Sequence, residues 1–548
     1  MVTGTNNKIL RVDLNSGSIT EDTLDEATYR LYPGGKALAG YLLLKEFPAH
    51  TEPLDPGNML VFATGLLTGA PLATATRFTA ATRSPLTGAY GESEAGGYWG
   101  VELKMAGYEA IIITGQAISP VYLSILDEKV EIRDARHLWG KDPFFVQNRI
   151  REELNDNKTS VLQIGIAGEN LVRYASITHN MRHYNGRNGI GSVMGSKNLR
   201  AIAVRSRGKR YQDFAFDSTT LTSLGKRLSK QYKDNPLSWS LHEKGTMPLV
   251  EGLNAVGMLP TKNFRYGVFE GAENIGWNAF KDQILIGKQS CHACSIRCKP
   301  EVKGDDRYQI SSEYGGPEYE AVAGFGSNCG VDDLQAVAKA NELCNRYVMD
   351  TISTSATIAF AMECFENGLL TIEDTGGLEL RFGNADAMLD AVEITARRQG
   401  FGALLAEGSL RIAQEIGKNA LDFALQVKGQ ELSMHDPRGK TNVGLGFAVS
   451  EIGADHLVSI HDSLLQNEDS IAYQNAKALG IRNAYPATEI NEEKVEQYFI
   501  CENWTSLGKV LGFCYFGPIP RSFIQVDEVI EAVQSATGWD VDLNELFL

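Results

Sequence analysis

The string Cys291-His292-Ala293-Cys294-Ser295-Ile296-Arg297-Cys298 spaces three thiols as C-x2-C-x3-C. Thiolates this close in sequence can wrap one metal centre, and a cuboidal iron–sulfur cluster needs one more cysteine, which a distant segment can supply. Cys514, in Leu511-Gly512-Phe513-Cys514-Tyr515-Phe516, is the candidate, because glycine permits a tight backbone approach. The resulting expectation is one [4Fe-4S] cluster on Cys291, Cys294, Cys298 and Cys514, in a redox enzyme. The same triplet also suits a structural zinc site with His292 or another residue as its last ligand. Cys329, Cys344, Cys364 and Cys501 lie in helical or apolar surroundings and are expected to be buried thiols.

The 548 residues suggest about three domains at roughly 100–200 residues each. A formal net charge of −16 argues against nucleic acid or an anionic membrane as partner, since both need a basic face. The polar N-terminus has no apolar h-region, and no apolar run approaches the ~18 residues of a membrane span. These features predict a cytoplasmic protein, where cysteines serve as ligands or buried thiols rather than disulfides.

The pattern along the chain is α+β. Lys8–Leu14 alternates and turns at Asn15-Ser16-Gly17, a hairpin signal. Val121–Leu126 and Val130–Arg133 flank a second turn. Ala110–Thr114, Val161–Gly165 and Ala201–Val204 are short buried-strand candidates. After the basic stretch Arg205–Arg210, helical spacing dominates, as in Asp333–Tyr347, Ser353–Phe365 and Asp527–Thr537. The expected division is a β-rich domain over 1–207, then helical domains over 208–405, with the cysteine triplet, and 406–548, with Cys514. The break near Gly400–Gly408 is the weaker boundary signal.

Two glycine-rich strings fall in the β-rich part. One runs Gly186-Arg187-Asn188-Gly189-Ile190-Gly191 and on to Leu199; the other holds Arg77, Arg83 and Ala95-Gly96-Gly97-Tyr98-Trp99-Gly100. Open backbone N–H groups beside arginines suit phosphate. Neither string fits the dinucleotide fingerprint or the P-loop. Together they suggest a phosphate-bearing cofactor lying on the sheet, against a plain reading as glycine-rich turns.

Several motifs in order resemble the tungsten-containing aldehyde ferredoxin oxidoreductases. They are Pro33-Gly34-Gly35-Lys36, Ser84-Pro85-Leu86-Thr87-Gly88, Ala167–Val172, Gly186–Leu199, the cysteine triplet, Gly316-Pro317-Glu318-Tyr319-Glu320, Asp436-Pro437-Arg438-Gly439 and Gly453-Ala454-Asp455-His456. The resemblance covers nearly the whole chain. It implies an N-terminal β-sheet base carrying two pyranopterins that hold one tungsten or molybdenum, completed by two mainly helical domains. It implies oxidation of an aldehyde to a carboxylic acid, or the reverse, with electrons leaving through the cluster to ferredoxin or another electron-transfer subunit. It assigns acid–base work to Glu318, with Glu320 as close rival, and polarisation of the aldehyde oxygen to His456. It assigns cofactor contacts to Arg77, Gly96, Gly97, Arg187, Asn188, Gly189, Asp350, Lys509 and Gly512, with Mg2+ bridging the pterin phosphates.

The match is not complete. Family motifs D-x-x-G-L-D and D-x-x-G-L-C align with Asn345–Asp350 and Lys509–Cys514. Asn345, Val348 and Lys509 therefore depart from them, and a lysine donates hydrogen bonds but accepts none. Glu94 stands where the family often has asparagine near the magnesium. The chain is also shorter at its C-terminus than its relatives usually are. These departures keep two alternatives open: a pterin- and cluster-binding scaffold without its own aldehyde chemistry, and a related aromatic thioester reductase. Arg297, Lys299 and Lys303 beside the triplet are the expected docking cations for an acidic ferredoxin.

Overall fold

The computed structural model describes residues 3–48 and 50–547. The N-terminal part holds two six-stranded sheets. In the first, β1 (Ile9–Asp13) pairs antiparallel with β2 (Ser18–Asp22) and parallel with β6 (Ala110–Thr114), and the order is β2-β1-β6-β3-β4-β5, with β3 Leu60–Thr64, β4 Phe78–Arg83 and β5 Tyr90–Ala95. The β1–β2 turn follows its residues: the Asp13 carboxylate accepts from the Asn15 N–H and the Ser16 hydroxyl, and Gly17 takes φ +73°.

The second sheet runs β11-β10-β9-β12-β7-β8, with β7 Val121–Leu126, β8 Lys129–Asp134, β9 Ser160–Gln163, β10 Ile177–His179, β11 His183–Asn185 and β12 Leu199–Arg205. Leu10, Phe62, Phe78 and Trp99 from the first sheet side share a core with Leu123, Leu162, Ile177 and Ile202 from the second. The outer face of the first sheet is covered by the helix Gly35–Glu46, through Leu38 and Leu42.

Helices dominate from Ser218 onward. One core gathers Leu253, Phe280, Val322, Val337, Phe360 and Met434; a second joins Leu221, Leu224 and Leu228 to Trp504, Val529 and Val533. The chain therefore returns from its C-terminal end onto the helix Ser218–Gln231. Thr351–Glu366 is buried on nearly every side, in keeping with its lack of any charged residue before Glu363. Its neighbour Leu334–Tyr347 begins at Asp333, whose carboxylate accepts from the N–H groups of Gln335 and Ala336. No helix is long and apolar enough to cross a membrane among the described residues.

The last helix of the described residues is the short Leu543–Leu546.

Candidate active site

The cysteine string forms the loop between β13 (Leu285–Gln289) and β14 (Lys299–Val302), an antiparallel pair. Ala293 and Arg297 take positive φ, which folds the loop back on itself. Cys514 reaches it from the far end of the chain. The helix Glu492–Leu511 ends at Gly512, which adopts φ +89° and whose carbonyl accepts from the Arg77 N–H at 2.8 Å. Cys514 N–H then donates to Thr74 O at 3.0 Å.

The four thiols converge beside Arg77. Its Nη2 lies 3.1 Å from Cys514 Sγ, and a methyl group added at Gly96 would sit 3.0 Å from Cys291 Sγ. A side chain at Gly97, which holds φ +94°, would run into His179 and His183. Burial pushes the Cys294 thiol up to about 12, with Cys291 and Cys514 near enough to add to the shift. Burial would lower the Arg77 pKa, but Cys514, Glu94 and Cys291 outweigh it and raise it. Among the described residues, no three cysteine sulfurs stand within 4.8 Å of one another. The other cysteines expected to be buried thiols, Cys329, Cys344, Cys364 and Cys501, are all buried.

Two cavities open between the sheets and the helices. The larger, about 1230 Å³ including its mouth, is lined by Arg77, Glu94, Arg187, Asp455, His456 and Lys509 among others. The second, about 760 Å³, is lined by Arg182, Tyr314, Glu318, Glu320 and Asn345 among others. Tyr184, Gly186, Asp350 and Thr351 border both. Asp350 caps the helix Thr351–Glu366 and pairs with Arg187 at 3.2 Å, so one ion pair ties the glycine string to the helical part.

Asn188 and Gly189 do not line either cavity. Asn188 is fully buried and its Nδ2 donates to Glu92 O; a side chain at Gly189 would strike Arg173 O. They shape the turn that presents Gly186 and Arg187. The departure at Lys509 has a partner: its Nζ lies 3.3 Å from Glu92 Oε1, which Lys36 also approaches at 3.5 Å. Burial lifts the Glu94 carboxyl to about 7, against Lys509 and with Glu92. Asn345 donates to Tyr314 O, and Val348 holds φ +61°, a conformation a β-branched residue rarely takes.

The structure separates the two acidic rivals. Glu318 pairs with Lys299 at 2.5 Å, beside the cysteine loop. Glu320 lies 3.5 Å from His456 Nε2 and 3.1 Å from His435 Nε2, between the two cavities. Its other oxygen accepts from Met434 N–H at 2.8 Å. Glu320 Oε1 and His456 Nδ1 are buried without an aligned hydrogen-bond partner. His435 and His461 were not singled out from the sequence; the ring of His461 is 4.4 Å from that of His435. Their signal was present: His435 directly precedes the Asp436-Pro437-Arg438-Gly439 motif. Lys299, expected to be a docking cation, is committed to Glu318, while Arg297 and Lys303 are exposed.

The chain is similar to known proteins over nearly its whole length. The aldehyde ferredoxin oxidoreductase N-terminal domain profile matches residues 9–206, and the profile for domains 2 and 3 of that family matches 223–548. The chain is 38% identical over 537 residues to the tungsten-containing aldehyde ferredoxin oxidoreductase of Pyrococcus abyssi, covering 97% of this chain and 84% of that protein. It is 31% identical over 480 residues to the aliphatic sulfonate oxidoreductase, WOR-like subunit, of Pyrococcus furiosus, covering 82% and 74%. The solved active-site complex BamBC of benzoyl coenzyme A reductase, bound to 1,5-dienoyl-CoA, superposes with a TM-score of 0.82 at 25% identity, covering 100% of this chain and 87% of that one. The chain belongs to the aldehyde ferredoxin oxidoreductase family of oxidoreductase enzymes.

Proposed function

We propose that the chain is a tungsten (or molybdenum) bis-pyranopterin enzyme that oxidises an aldehyde to a carboxylic acid, or runs the reverse. Electrons would pass through a [4Fe-4S] cluster on Cys291, Cys294, Cys298 and Cys514 to ferredoxin or another electron-transfer subunit. The observation that carries this reading is the Glu320–His456 pair, set between two adjoining cavities and a converging set of thiols.

The residues fit the cofactor. Arg77 Nε and Arg182 Nε are buried donors without partners, suited to phosphate oxygens. Arg77, Arg187 and the backbone at Gly186 and Gly96 would hold the phosphates, with Asp350 and Lys509 at the ring edges. Glu94 would help to hold a Mg2+ ion, which would supply positive charge to the phosphates. When bound, the metal supplies the two-electron acceptor. His456, which lines the larger cavity, would donate to the carbonyl oxygen of an aldehyde and raise its electrophilicity. Glu320 takes a proton from the attacking water, which needs a carboxylate within hydrogen-bond reach of it. Aldehyde plus water then yields acid, two protons and two electrons.

The exposed Arg297 and Lys303 beside the thiols support docking of an acidic electron carrier. The likeness to BamBC over the whole chain favours an aromatic thioester as a second substrate reading.

Metal analysis of anaerobically purified protein tests the proposal. Tungsten or molybdenum with about four irons per chain is expected, from the cluster chemistry. Zinc alone sinks it. Dye reduction with aldehydes, set against oxidation of reduced dye with an aromatic thioester, separates the two substrate readings.

A further inference from the structure

Glu320 and His456 account for the attack on the carbonyl but leave unexplained what stands behind them. His435 is 2% exposed and sends Nε2 toward Glu320 Oε1. Its opposite nitrogen, Nδ1, lies 3.0 Å from Nζ of Lys440, a lysine 1% exposed. Among the described residues, no carboxylate oxygen comes within 4.0 Å of Lys440. The opposite charge that acts on it most is Asp462, whose Oδ1 is buried and unpartnered and whose Oδ2 is 3.0 Å from Lys494 Nζ. Lys494 in turn reaches Pro486 O at 3.1 Å. Glu320, His435 and Lys440 therefore follow one another away from the site, and Asp462, paired with Lys494, acts on Lys440 by its charge without touching it.

An ammonium carries three donors and no lone pair. Nδ1 of His435 must then accept, which leaves the ring proton on Nε2, facing Glu320. We propose that Lys440 is a positioning residue that fixes His435 as the neutral, Nε2-protonated tautomer, which turns an N–H dipole toward Glu320 Oε1 at 3.1 Å, not aligned as a hydrogen bond, and favours the carboxylate that takes the proton of the substrate water. The inference rests on Glu320 being the proton acceptor of the proposed reaction.

The surroundings support a neutral ring. Burial, then Lys440 and His456, hold His435 well below the usual imidazole range. Burial brings Lys440 down to about 8, against Asp462, Glu320 and Asp436 and with Arg521. His461, Arg521, His456 and Tyr319, whose ring centroid is 5.3 Å from that of His435, also surround the ring.

A competing use of the same atoms is a divalent metal site, since Glu320, His435 and His456 bring three ligand atoms within 4.8 Å of one another. A metal on His435 Nε2 would need Nδ1–H facing an acceptor. Lys440 offers the opposite.

Imidazole 15N shifts of histidine-labelled holoprotein test the proposal directly, with the His435 signal assigned by its loss in His435→Asn. In wild type, His435 should show a lone-pair Nδ1 and a protonated Nε2 between pH 6 and 7.5. In Lys440→Met the signal should move to a tautomer mixture or begin to titrate, and Lys440→Arg should restore it. Aldehyde kcat should fall at least ~10-fold in Lys440→Met with KM little changed, as when a histidine loses the group that sets its tautomer. A wild-type His435 protonated on Nδ1, an unchanged signal in a folded Lys440→Met, or one zinc per chain lost with Glu320→Gln would overturn it. The tautomer stands or falls on the NMR even if no aldehyde is turned over. That separates its failure from failure of the proposed reaction.

Discussion

The thiol end and the histidine end of this site are built on opposite plans. Cys291, Cys294 and Cys298 come from one loop, and cations at Arg77 and Lys299 lie against the thiols. The histidine end draws Glu320, His435 and His456 from separate segments and leaves Glu320 Oε1, His456 Nδ1 and Asp462 Oδ1 buried without aligned partners. The thiol end has orphans too, Arg77 Nε, Glu94 Oε1 and His179 Nδ1, so the two ends differ not in open valences but in what surrounds them: thiols beside cations at one, imidazoles beside carboxylates at the other.

Removing one ligand should break the thiol end outright. Cys514→Ser is expected to abolish the visible absorption of the cluster and ferredoxin reduction, with iron per chain falling sharply; an unchanged iron content would remove Cys514 from the ligand set. The histidine end should respond in rate alone. Glu320→Gln should lower aldehyde kcat by ~10²–10⁴-fold with iron content unchanged, the range for loss of a general base. Glu318→Gln should cost only a few-fold, because its carboxylate is held by Lys299. Equal losses for both variants would erase the distinction between the ends.

The smallest effect concerns stability. Glu94 holds its proton in the folded state up to about pH 7, whereas an unfolded glutamate loses it near 4.5. Between those values the folded state binds more protons, so stability should fall as pH rises from 5 to 8. Glu94→Gln should flatten that decline in denaturant titrations of the apoprotein. A slope indifferent to the substitution would mean that the Glu94 carboxyl ionises normally.

Legibility followed distance along the chain. The hairpins at Gly17 and Asp127 and the helices after Asp333 and Asp350 were readable because their caps, turns and periodicity are local. Motif order added the family. Spacing could not rank Glu318 against Glu320, since both sit at the start of one short helix, Tyr319–Phe325. Nor could it show that Lys509 would meet Glu92, a carboxylate more than four hundred residues earlier.

The sequence by itself determined the α+β order and the family, because each depends on residue type and spacing within short segments. Only the tertiary structure decided which carboxylate faces His456, which cations are already paired, and that His435 and Lys440 stand behind the site. Those outcomes depend on which distant side chains share a low-dielectric interior, where a neighbour at 3 Å governs charge and proton position.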